Sequence, residues 1–138
     1  MKIIFALLIL TAFACALPLG AKPLPKVPLW QRYDVTVFSD REYENPYADV
    51  DIEAVFTHES GETIKLYGFW NGGNRWTVRF APTRTGHWNY EVHCSDPDNK
   101  GLEGAAGTID AVKNTGKSCI DRHGFVRVSA NGRYFEHA

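Results

Sequence analysis

The sequence predicts an all-β fold, and three observations carry that prediction. Apolar residues recur at every second position through six separate runs, the period that gives a strand one apolar and one polar face. Clusters of Gly, Asn, Asp, Ser and Pro punctuate those runs and supply the special φ values that tight turns need. Apolar spacing of the helical kind is nearly absent after the N-terminus. Six strands over roughly 85 residues, each closed by a turn signal, predict an immunoglobulin-like antiparallel β-sandwich.

The elements follow in order. Residues 1–16 have the pattern of a signal peptide: Lys2, an apolar run from Ile3 to Ala14, and the small–x–small site Ala14-Cys15-Ala16. The run is short for a transmembrane helix, which needs about 20 apolar residues. A retained anchor and lipid attachment at Cys15 stand as alternatives to cleavage. Residues 17–28 hold four prolines and read as an extended linker, because proline fixes φ and lacks a donor. The sandwich is expected over 29–113. Its inward faces are Tyr33, Val35 and Val37; Val50, Ile52, Ala54 and Phe56; Ile64, Leu66 and Gly68; Trp76, Val78 and Phe80; Trp88, Tyr90, Val92 and Cys94; then a weaker run from Thr108 to Val112. The tip Asn71-Gly72-Gly73-Asn74 suits a hairpin with positive φ.

Residues 114–138 are a different unit. Phe125, Val126 and Val128, then Tyr134 and Phe135, flank a turn at Ala130-Asn131-Gly132. Two strands in water are marginal by themselves, so this apolar hairpin is expected to open a further module absent from the chain.

A formal charge of −1 leaves no basic footprint for nucleic acid, and a membrane enters only if Cys15 is lipidated. Export implies an oxidising compartment, secreted or periplasmic. There Cys94 and Cys119 are a candidate disulfide, worth ~3 kcal/mol in the chain-entropy account; two free, buried thiols are the equal alternative.

Several blocks in order resemble unknown-function family 5060: Trp30 to Phe38, Ala54 to His58, Gly68 to Gly72, Trp76 to Pro82 and Thr85 to Tyr90. That family is an immunoglobulin-like domain at the N-terminus of proteins assigned as glycoside hydrolases. Gly124 to Val128 and Asn131 to Phe135 resemble the junction at which such proteins enter an apiosidase-like (β/α)8 barrel. The resemblance implies a non-catalytic accessory module whose partner is that barrel, which carries the family's catalytic carboxylates and is not present. It also implies plant or microbial polysaccharide as a partner of the whole protein. A free-standing secreted immunoglobulin-like adhesion or ligand-binding protein is the reading from another class.

No acidic pair has the spacing that singles out a glycosidase site, so no catalytic residue is assigned. Asp96-x-Asp98-x-Lys100-Gly101 departs from a calcium loop at its third ligand and reads as a plain turn. His58, His87, His93, His123 and His137 share no ligand spacing, and neither metal nor cofactor is expected. Trp70, Asn71 and Asn74 are the candidate carbohydrate contacts, since sugars stack C–H faces on aromatics and bond their hydroxyls to amides. Strict alternation turns Trp70 toward the core, the competing role.

Overall fold

The computed structural model describes residues 23–137. The signal-peptide segment, Cys15 and residues 17–22 of the linker lie outside the described residues. Nine strands and one short helix follow in the order β1 (Lys26–Pro28), β2 (Tyr33–Phe38), β3 (Ile52–His58), β4 (Thr63–Trp70), β5 (Arg75–Phe80), β6 (Gly86–Cys94), β7 (Ala106–Val112), α1 (Cys119–His123), β8 (Val126–Val128) and β9 (Phe135–His137). The first seven form one hydrogen-bonded order, β1-β7-β6-β3-β4-β5-β2. All its pairings are antiparallel except that of β1 with β7.

Strand β4 turns this single order into two layers. Its residues 63–67 pair with β3, while Gly68, Phe69 and Trp70 pair with β5. The strand therefore leaves one layer for the other at Gly68, as strands do at sandwich corners. A Cβ on Gly68 would overlap the Ile52 side chain and Val78 Cγ2, both buried. We expect Gly68→Val to cost about 1–3 kcal/mol by overpacking, read as a lower midpoint in chemical denaturation.

The layers meet through aromatic rings. Phe56 of β3 stacks on Phe80 of β5 at 3.9 Å, and Trp88 of β6 meets Phe80 edge-on at 5.2 Å. Residues 52, 54, 56 and 58 of β3 are all buried, and Trp88 and Val92 fill the same space from β6. Fully burying each large apolar side chain contributes about 1.5–3 kcal/mol. The alternation read from the sequence is thus the alternation of this core. With a GFC-like layer on a BED-like layer, the topology is immunoglobulin-like.

Three features differ from the sequence reading. The linker expected over 17–28 ends in strand β1, whose Val27 is buried beneath β7. Its Pro28 is tolerated because β1 is an edge strand, where a missing donor faces no partner. Helix α1 was not anticipated; Ser118 and Asp121 close a capping box around its first turn. The candidate disulfide does not form, and Cys94 and Cys119 are both free thiols. Cys94 ends β6 beside Ile52, whereas Cys119 lies beyond the end of β7 whose Ala111 pairs with Gly86 at the start of β6. The length of β6 separates them, far beyond the ~7 Å a disulfide spans between Cα atoms.

The C-terminal hairpin pairs as expected, Val126 with His137 and Val128 with Phe135. Its apolar side chains are exposed, Phe135 at 76%. It is nevertheless tied to the sandwich. Asp121 Oδ1 accepts from Gln31 Nε2 at 2.6 Å and Asn114 Nδ2 at 2.9 Å, and Asn114 also donates to Leu29 O. Trp30, at φ 66°, meets Phe125 edge-on at 5.4 Å. A non-glycine residue there is strained, and the Trp30 amide is held by the Pro82 carbonyl.

Candidate functional site

At the opposite end of the sandwich, the loop after β2 and the β4–β5 hairpin enclose a groove of about 470 Å³. Ser39, Arg41, Glu42, Tyr43 and Pro46 line one side; Trp70, Gly73, Asn74 and Trp76 line the other. The hairpin fixes its own wall. Gly72 and Gly73 have φ of 86° and 58°, values that favour glycine, and the turn lets Trp70 Nε1 donate to Gly73 O at 2.7 Å. Trp70 keeps the inward parity of Ile64, Leu66 and Gly68 and, like them, is half-buried. Tyr47 stands against it edge-on, 5.1 Å and 86° between rings.

Of the candidate contacts, Trp70 and Asn74 line the groove and Asn71 does not. The Asn71 amide donates to Thr77 Oγ1 at 3.3 Å and serves the hairpin.

The opposite wall rests on a residue the sequence did not single out. Asn99, in the β6–β7 turn, is fully buried. Its Nδ2 donates to Ser39 Oγ at 2.8 Å and Tyr43 Oη at 2.7 Å, and its Oδ1 accepts from the amides of Leu102 and Asp40. Four bonds satisfy the whole side-chain amide and join segments about sixty positions apart. Gly101 lies so close to the Phe38 carbonyl that a Cβ would collide with backbone. The Asp96–Gly101 segment is therefore a structural staple; among the described residues no group of three or more ligating side chains converges on a cation-sized site.

Arg41 is spent within that staple. Its Nη1 reaches Asp96 Oδ2 at 3.1 Å, Nη2 donates to Asp98 O at 2.9 Å, and Nε lies 3.5 Å from Asp40 Oδ1. The Tyr43 hydroxyl donates to Asp96 at 2.9 Å. That bond above all, then the Asp98 amide and the Arg41 guanidinium, hold the Asp96 carboxyl below its usual range. A lowered folded-state pKa stabilises the loop above the unfolded value of about 3.9 and loses that contribution as pH falls through the folded value. Amide exchange at 96–101 is expected to stay level from neutral pH to about pH 5, once corrected for intrinsic rate, and to rise below pH 4. In Asp96→Asn the rise should vanish.

His58, Cys94 and Cys119 are not among the residues that line the groove. His58 is buried in the core, its Nδ1 beside Ser60 Oγ and its Nε2 3.0 Å from Thr85 O. Burial pushes the Cys94 thiol up. Cys119 Sγ lies 3.3 Å from His137 Nε2.

Fold and groove together define a small immunoglobulin-like β-sandwich module with an aromatic and polar cleft at one pole. Residues 26–95 match the family described as a domain of unknown function, DUF5060, and the chain belongs to that family. A solved structure from Bacteroides vulgatus ATCC 8482, named a "putative glycoside hydrolase", is 25% identical with a TM-score of 0.63. The match covers 82% of this chain and 20% of that one, so the chain spans one fifth of that protein's length. The filamin domain of Lin-41 is 13% identical over 67% of this chain and 88% of its own, with a TM-score of 0.43. No curated protein matches the chain.

Proposed function

We propose that this chain is the non-catalytic N-terminal module of a secreted glycoside hydrolase, supporting a catalytic barrel and contacting carbohydrate through the Trp70–Asn74 groove. One observation carries the reading: most of this chain aligns with a one-fifth portion of a larger protein named a "putative glycoside hydrolase". Hydrolysis of a glycoside needs two carboxyl groups about 5–10 Å apart across the scissile bond. Glu42 is the single carboxylic residue lining the groove. The exposed hairpin face of Val126, Val128 and Phe135 is the surface offered to the barrel, since apolar patches of this kind mark contacts.

Purified chain assayed on plant polysaccharides and aryl-glycosides is expected to give no turnover. Turnover that disappears on mutating a carboxylate within 30–113 would overturn the assignment. Reading the coding sequence beyond residue 138 tests the partner: alternating strands and helices support the barrel, whereas a stop codon favours the free-standing binding protein. Export is tested by intact mass, with a mature start near Leu17 expected; retained Met1 in soluble protein contradicts it.

A further inference from the structure

The geometry points to the ligand's chemical class: we propose that the groove accepts an uncharged sugar unit and rejects uronates. The inference rests on the carbohydrate-contact reading and adds a selection by charge. Apolar surface is supplied by the rings of Trp70 and Tyr43 among the lining residues, and Tyr47, just outside that lining, stands edge-on to Trp70. Such perpendicular aromatic walls fit the flat C–H faces of a pyranose or furanose. Hydroxyls find Asn74 and Glu42 among the lining residues, whereas the Ser39 hydroxyl is buried and bonded to Asn99 and Arg41.

Charge decides the class. A uronate carboxylate entering the groove needs a cation to replace its water. Arg41 is the one cation among the lining residues, and its three nitrogens are engaged by Asp40, Asp96 and the Asp98 carbonyl. Two carboxylates against one guanidinium leave that wall net negative. Glu42 adds a further negative charge, and among the described residues no cation lies within ion-pair distance of it. Asp40 and Asp96 lie within 3.5 Å of Arg41, well inside the screening length of about 8 Å, so physiological salt does not hide that cluster. An anionic ligand is repelled at close range. A neutral ligand turns the same feature to advantage, because an unpaired carboxylate accepts strong hydrogen bonds from hydroxyls.

The test is affinity electrophoresis and calorimetry of the purified full chain near neutral pH at about 0.15 M salt. Neutral galactan, arabinan, xyloglucan and β-glucan are set against polygalacturonate and chitosan. Retention by at least one neutral polymer is expected, with none by polygalacturonate. Trp70→Ala and Tyr47→Ala should each weaken it by about tenfold; Tyr47 is three-quarters exposed, so its variant keeps the test valid if the Trp70 variant unfolds. Glu42→Gln should weaken the neutral ligand several-fold. Stronger binding to polygalacturonate or chitosan, no binding to any neutral polymer, or binding indifferent to both aromatic substitutions overturns the inference. Loss of sugar binding beside a continuing barrel reading frame would sink this inference and leave the accessory-module assignment standing.

Discussion

Trp76→Ala is expected to lose about 3–5 kcal/mol of stability, the range for truncating a buried aromatic. Trp76 is 3% exposed and sits in β5 between Val37 of β2 and Trp70 of β4. Its ring closes the end of the core beneath the groove, where the sandwich has no further layer to collapse inward. A small domain holds about 5–15 kcal/mol in total, so the variant should melt at least about 10 °C lower in near-UV circular dichroism. An unchanged midpoint would mean that the β5 face is turned the other way. Because Trp76 is also groove floor, its variant cannot separate binding from folding; Tyr47 can.

Asn99→Leu is the second large effect. Leucine is close in volume but removes the buried amide that bonds Ser39 Oγ, Tyr43 Oη and the Asp40 N–H, while the Leu102 N–H keeps the backbone carbonyl of residue 99. Stripping buried polar groups of a partner costs about 1–3 kcal/mol, and losing the bonds to Ser39 and Tyr43 should release the loop that carries Arg41, Glu42 and Tyr43. The expected signature is a destabilised but folded sandwich whose amide protection is lost at 39–43 and 96–102. Uniform loss over all strands would instead show that Asn99 supports the whole core.

The strands were legible because each carries its own period: Val35 and Val37, or Phe56 and Ala54, declare an inward face without reference to any partner. Strand β1 was not, since Lys26-Val27-Pro28 has one apolar residue and takes its conformation from β7, over eighty positions away. Helix α1 had a readable cap in Ser118 and Asp121, but five residues are too few to show a helical period. Cys94 and Cys119 looked alike as a pair because sequence spacing does not reveal that the whole of β6 lies between them. Trp70 followed its parity and still reached the groove, as alternation sets the direction of a side chain and not where the sheet stops. Asn99 was hidden for the opposite reason: in Asp-Pro-Asp-Asn it looks like turn punctuation, and its four partners are brought to it only by the fold.

The parallel pairing of β1 with β7 sets Pro28, the last residue of β1, beside Val112, the last of β7, so both strands run out at one pole and the chain leaves the sandwich there. The groove lies at the other, separated by the six residues of β2, about 20 Å of strand. Under the proposed function, a glycan held in the groove is bound about that distance from the chain exit at Val112. On that reading the module's gain is local concentration, which a long polymer can exploit and a short fragment cannot. Asp121 and Trp30 brace that exit against the sandwich, so on the same reading the length of β2 fixes the spacing between bound glycan and exit.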